Sequence, residues 1–175
     1  KYNGKKETGF LTDPYLFEGY AWYSKDIHID KEDLEKNIFL FLERTRLTKI
    51  WIDDTFAGEF DSLTTPHNYD ITRFVRNTNF RITVLVSNVD YPTKGGHLTS
   101  PDTQTNWNGI IGDISLRIFD DSYIADIKTY PDIDKKSVKV VLKTVNNTQT
   151  DKKFTLDVNA FLTDINGDTG VSAPP

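Results

Sequence analysis

The stretch SPDTQTNWNG at 100–109 gathers side chains that can both donate and accept hydrogen bonds. Amides and hydroxyls with that double capacity suit a ligand presenting alternating hydroxyls, such as a sugar. The candidate contacts are Asp102, Gln104, Thr105, Asn106 and Asn108. Trp107, in their midst, offers a flat apolar ring with one polar handle, able to stack on a pyranose face. The Gly109-Ile110-Ile111 run that follows turns straight into a strand, which favours Trp107 as an anchor in the core. The competing reading of the polar residues is local, because Asn and Thr in turns also bond their own backbone.

Other constellations carry less. Hydrolysis of a glycosidic bond needs two carboxylates facing one bond, about 5–5.5 Å apart when configuration is retained. Among 26 acidic residues the pairs Asp53/Asp54, Asp120/Asp121 and Glu32/Asp33 fall in turns or charged surface stretches, where solvation is the ordinary fate of Asp and Glu. His28, His67 and His97 show no ligand spacing, and without Cys a metal site would need carboxylates from distant segments. No metal or other cofactor is implied. Ser62, His67 and Asp70 would make a nucleophilic triad on paper, but no Gly-x-Ser-x-Gly elbow presents the serine. The run Asp164 to Gly170 starts like a calcium loop, yet its sixth position is Thr169 and its twelfth Pro175, so an Asn-Gly hairpin turn is the better reading. Asn146-Asn147-Thr148 is formally a glycosylation sequon and equally an ordinary loop.

Composition narrows the partners. Lys and Arg number 21 against 26 Asp and Glu, a formal charge of −5, which provides no broad positive field for nucleic acid or an anionic membrane. The absence of Cys removes disulfides and thiolate chemistry. No apolar span of about 20 residues is present to cross a membrane as a helix. The compartment stays open, with a periplasmic or secreted site favoured for a Cys-free acidic chain. The chain opens on Lys1 and closes on Val171-Ser172-Ala173-Pro174-Pro175, which reads as a piece of something longer.

The elements that must hold the polar stretch are strands. From Gly19, Ala21, Tyr23, Ile27 and Ile29 alternate with Tyr20, Trp22, Ser24, Asp26 and His28. Ile38 to Leu42 is large in both registers, predicting a central strand covered on both faces. Lys49 to Asp53, Glu59-Phe60, Phe80 to Val86 and Asp113 to Ile118 add strands, with a hairpin turn expected over Asp54 to Gly58. Asp30 to Lys36 is the one helical candidate, about two turns. The irregular stretch from about Ser87 to Asn108 is long enough to be functional if ordered. Trp22 and Trp51 are expected to be packing residues. Beyond Asp121, the segments Ile124 to Tyr130, Ser137 to Val145 and Lys153 to Leu162 read as further strands, the last through a stripe of Phe154, Leu156, Val158 and Ala160. The expected organisation is all-β: a sandwich or barrel over 1–121 and a partial second domain over 122–175.

Four segments in order, FEGYAWYSKDI at 17–27, the strand-turn-strand from Ile38 to Phe60, SLTTPHNYDIT at 62–72 and TQTNWNGIIGDISL at 103–116, resemble the sugar-binding domain of family 2 glycoside hydrolases. The likeness covers roughly Phe17 to Val145. It implies a jelly-roll β-sandwich followed by the start of an immunoglobulin-like domain. In that family, which includes β-galactosidases, β-glucuronidases and β-mannosidases, the catalytic carboxylates belong to a (β/α)-barrel, one of them in an Asn-Glu pair. No Asn-Glu dipeptide occurs in this chain. One departure is the hairpin, where members often carry Asn-Gly and this chain carries Asp54-Thr55 with Gly58 further on. The resemblance implies that the 102–108 loop reaches toward the barrel's active site and can supply a polar contact to a β-glycoside. The expected function is therefore a non-catalytic accessory portion of a retaining exo-β-glycosidase, partnered by a barrel on the same polypeptide. An autonomous carbohydrate-binding module, or a structural or oligomerisation domain, is the alternative.

Overall fold

The computed structural model describes residues 2–6, 15–91, 108–159, 161–163 and 169–172. The chain divides into two compact units, Lys1–Tyr123 and Ile124–Pro175. In chain order the strands are β1 (Tyr2–Lys6), β2 (Tyr15–Phe17), β3 (Tyr20–His28), β4 (Asn37–Thr45), β5 (Leu47–Ile52), β6 (Thr55–Phe60), β7 (His67–Asp70), β8 (Asn79–Ser87) and β9 (Ile110–Phe119), then β10 (Ser122–Asp132), β11 (Ser137–Asn146), β12 (Phe161–Thr163) and β13 (Thr169–Ser172). No α-helix occurs among the described residues.

Two antiparallel sheets build the first unit, β3-β8-β5-β6 and β7-β4-β9, with β1 and β2 paired separately. Because side chains alternate across a strand, β8 sends Phe80, Ile82, Val84 and Val86 inward, β5 sends Ile50 and Ile52, and β4 sends Ile38, Leu40 and Leu42 from the opposite sheet. These residues form one hydrophobic cluster with Tyr69, Ile71 and Val75. Two sheets sharing one core make a β-sandwich, the all-β fold predicted from the sequence.

One polar network penetrates that core. His67 is fully buried; its Nε2 donates to the Ser62 carbonyl at 2.8 Å, which leaves Nδ1 to accept from the Thr48 hydroxyl at 2.6 Å. Tyr69 Oη lies 2.7 Å from Thr48 Oγ1 and 3.1 Å from the Thr48 carbonyl. The Phe60 ring closes over both, 5.3 Å from His67 and 4.7 Å from Tyr69 between centroids. Each buried polar atom thus has a partner, as interior burial demands. Desolvation holds the His67 imidazole below the ordinary histidine range and pushes the Tyr69 phenol up.

Several expectations change. β4 is central in its sheet, but its outer face is only half covered. Phe41 lies beneath the Arg117 guanidinium at 3.3 Å and Phe39 meets Phe119 edge-on at 5.9 Å. The strand's large outer residues are therefore shielded by neighbours on their own sheet. The hairpin turn is Asp53-Asp54, with Ile52 paired to Thr55, one step earlier than the expected Asp54 to Gly58; Gly58 lies inside β6 beside a register shift. Lys31–Glu35 forms a short 3₁₀ turn in place of a two-turn helix, since a short charged segment without an apolar face cannot repay helix nucleation.

In the second unit β10 pairs with β11 and β12 with β13. The strand expected over Lys153 to Leu162 does not form across 151–159, and Phe154, Leu156 and Val158 are exposed. Alternation without a partner edge leaves a strand's backbone groups unpaired. The 164–168 turn and Ala160 lie outside the described residues.

Candidate functional site

Of the residues expected to contact sugar, Asp102, Gln104, Thr105, Asn106 and Trp107 lie outside the described residues. Asn108 is described and exposed. What the structure gives is the frame on either side of that segment, built where β8 ends and β9 begins.

Asn88 is the hub of the frame. Its Nδ2 donates to the Phe17 carbonyl at 2.6 Å and to Asn108 Oδ1 at 2.9 Å, while its Oδ1 accepts from the Gly19 amide at 2.8 Å. One side chain therefore ties the entry to β3, the exit of β8 and the approach to β9. An amide can do this because it carries two donors and an acceptor on one rigid plane. Ser87 Oγ braces the next turn, accepting from the amides of Val89 and Asp90. Asp90 in turn raises the Tyr20 phenol through a hydrogen bond to it.

On the other side, Thr45 Oγ1 donates to the Gly109 carbonyl at 3.2 Å. Arg46, in the bend between β4 and β5, is only 2% exposed and stacks over the Tyr91 ring at 5.7 Å. Burial lowers the Arg46 guanidinium's affinity for its proton and raises the Tyr91 phenol. A buried arginine at the foot of a loop is a fixed positive charge, since its guanidinium stays ionised.

Two glycines explain the backbone after Trp107. Gly109 has φ +82°, and a Cβ there would stand 2.9 Å from the Tyr23 hydroxyl. Gly112 has φ +80°, and its Cβ would collide with the Glu43 carboxylate, which accepts the Asp113 amide at 2.7 Å. The register between β4 and β9 shifts at this point, so Gly112 sits in a bulge that bends the start of β9. Beside it, a largely apolar cleft of about 640 Å³ opens between edge strands β3 and β9, lined by Tyr23, Ile27, Leu40, Ile110, Ile114 and Leu116 among others.

The remaining candidates separate. Ser62 Oγ accepts from the Thr65 hydroxyl, Asp70 accepts the Thr72 amide, and His67 spends its two nitrogens on the Ser62 carbonyl and the Thr48 hydroxyl, so these three residues assemble no triad. Asp53 accepts the Arg81 amide in the hairpin turn, and Asp33 pairs with Lys36. Arg81 grips Asp26 with two bonds of 2.7 and 2.9 Å and holds that carboxyl below its usual range, the reverse of what a general acid requires. Asn146 accepts both the amide and hydroxyl of Thr148, closing an Asx turn. No group of three metal-ligating side chains is found among the described residues. Sequence reasoning passed over Asn88, Thr45 and Arg46. The one available signal was an Asn at the junction between an alternating strand and a long irregular stretch.

Residues 11–119 match the family described as glycosyl hydrolases family 2, sugar binding domain, and the chain belongs to that family. A β-galactosidase of Thermoanaerobacter pseudethanolicus (strain ATCC 33223 / 39E) is 27% identical over 124 residues, covering 67% of this chain and 16% of that protein. Among solved structures, a β-glycosidase from Bacteroides vulgatus superposes with TM-score 0.64 at 18% identity, over 95% of this chain and 21% of the other. A β-glucuronidase from an uncultured Clostridium sp. superposes with TM-score 0.60 at 20% identity, over 89% and 28%. These structural likenesses establish a shared fold.

Proposed function

We propose that this chain is the non-catalytic front portion of a family 2 glycosidase, which presents the 102–108 segment beside an active site carried on a (β/α)-barrel. The observation that carries the proposal is the frame. Asn88 binds Asn108 and the entry to β3 together, and Thr45 fixes Gly109, so the last residue of the segment is held on a rigid scaffold. Sites of this kind need supports that leave a loop little freedom. The chain spans 16% of the matched β-galactosidase, which leaves room in such a protein for a separate catalytic barrel. The parent's reaction is a retaining exo-cleavage of a β-glycoside, with Asp102, Gln104, Thr105, Asn106 and Asn108 the residues from which a substrate hydroxyl contact is drawn. Residues 122–175 form the opening part of an immunoglobulin-like domain.

The test is kinetic and uses the full-length parent enzyme. Alanine at each of 102, 104, 105, 106 and 108 is compared with Asn88→Ala on nitrophenyl β-glycosides. Loss of kcat/KM by tenfold or more at one loop position, with a smaller loss for Asn88→Ala and unchanged Tm for the loop variant, supports the proposal. Wild-type kinetics at all five positions sinks it.

A further inference from the structure

The outward face of the β3-β8-β5-β6 sheet carries aromatic rings that the core does not use. Trp22 is 62% exposed in mid-strand, and Phe56 is 49% exposed. Trp22 and Trp51 were expected to be packing residues; Trp51 is instead half-buried and Trp22 stands in solvent. Their ring centroids are 5.3 Å apart at 37°, and Trp51 meets Phe56 at 5.6 Å. Leu85, in register with Trp22 and next to Trp51's partner Thr83, is covered to 8% exposure. The result is a continuous strip of three rings crossing the strands.

Polar groups adjoin the strip along the strand direction. A cleft of about 520 Å³ is lined by Asp26, His28, Asp53, Asn79 and Arg81, among others. Arg81 is paired to Asp26, and His28 Nδ1 lies 2.8 Å from Asn79 Oδ1. On the other side of Trp51, Lys49 pairs with Glu59 at 3.3 Å, and level with Trp51, between Trp22 and Asp26, Ser24 and Thr83 share a hydroxyl contact at 3.0 Å.

We propose that this face is a second carbohydrate-binding surface, taking a glycan of several sugar units with its rings stacked on Trp22, Trp51 and Phe56 and its hydroxyls toward the Asp26–Arg81 cleft. Three features select this occupant. Indole and phenyl faces match the C–H face of a pyranose, and aromatic contacts of this kind add specific attraction beyond area. The guanidinium and carboxylate groups beside the rings are already paired with each other, so they meet a neutral polyhydroxyl ligand without leaving an uncompensated charge, while keeping spare donors and lone pairs for it. The exposed part of the strip amounts to roughly 300 Å², well under the about 800 Å² per partner of a standard protein–protein interface. A second copy of the chain is therefore the weaker occupant. The inference is independent of the 102–108 segment and of any role beside a barrel.

The experiment titrates the 175-residue chain with cellohexaose, xylohexaose and mannohexaose, followed by calorimetry and tryptophan fluorescence. The expected result is saturable binding of at least one hexasaccharide with a fluorescence change. Trp22→Ala and Phe56→Ala should each weaken binding about tenfold, while Ile133→Ala, at an exposed residue of the second unit, leaves it unchanged. Circular dichroism and Tm of Trp22→Ala check folding; because Trp22 is mostly exposed, both should match wild type, and Trp22→Tyr, which keeps a ring, should retain most of the affinity. Absence of binding to all three hexasaccharides at millimolar concentration overturns the proposal. So does binding indifferent to Trp22→Ala, or a dimer in sedimentation that Trp22→Ala dissolves.

Discussion

Acidification should destabilise the sandwich through His67, by an amount its geometry bounds. The imidazole is wholly buried, donates through Nε2 to the Ser62 carbonyl and accepts through Nδ1 from Thr48, so it is neutral in the folded protein. A second proton must sit on Nδ1, facing the Thr48 hydroxyl that now donates to it, in a site already stripped of water. Burial accordingly lowers the folded-state value. Between the folded value and the unfolded value of about 6.5, the unfolded chain binds the extra proton and the folded chain does not. Stability is thus full above about pH 6.5 and falls as pH drops below it, by up to about 1.4 kcal/mol per pH unit. Urea unfolding at pH 7.5, 6.5 and 5.5, read by the three tryptophans of the first unit, measures this. Aspartate and glutamate titrate mainly below that range, so the window isolates histidine. His67→Gln, which can still donate to Ser62 and accept from Thr48, should flatten the curve. Equal pH slopes in wild type and His67→Gln, or a gain in stability on acidification, would refute the reasoning.

Other outcomes follow from single contacts. Thr48→Val strands both His67 Nδ1 and one Tyr69 contact in the core and should cost about 1–3 kcal/mol, whereas Thr48→Ser should cost far less; urea midpoints decide. Gly112→Ala combines a positive φ with the Glu43 carboxylate in the space of the new Cβ and should lose more than about 1 kcal/mol, partly restored by Glu43→Ala in the same background. Asn88→Ala removes the tie between β3 and β9 and should lower stability by about 1–3 kcal/mol, with faster amide exchange at Gly19.

Much of the sandwich was legible because its strands obey one rule. Phe80, Ile82, Val84 and Val86 alternate with Arg81, Thr83 and Leu85, and all four face the core. Where large residues occupy both registers, alternation is silent about what covers the second face. For Phe39 and Phe41 the answer came from Phe119 and Arg117, more than 70 positions away. Trp22 has the same strand propensity whether it faces core or solvent, so its exposure could not be read locally. The stripe of Phe154, Leu156 and Val158 shows the reverse failure, a good strand pattern with no strand formed on it. At the candidate site, the polar character of 102–108 is a local property and visible in sequence. Asn88's role is not, because its partners Phe17 and Gly19 precede it by 71 and 69 residues.

The accessory role itself is tested most directly by assaying the purified 175-residue chain beside the full-length parent enzyme on nitrophenyl β-galactoside, β-glucuronide and β-mannoside. The account predicts turnover of at least one substrate by the parent and none by the chain. Hydrolysis by the chain alone, surviving a second purification, would contradict it.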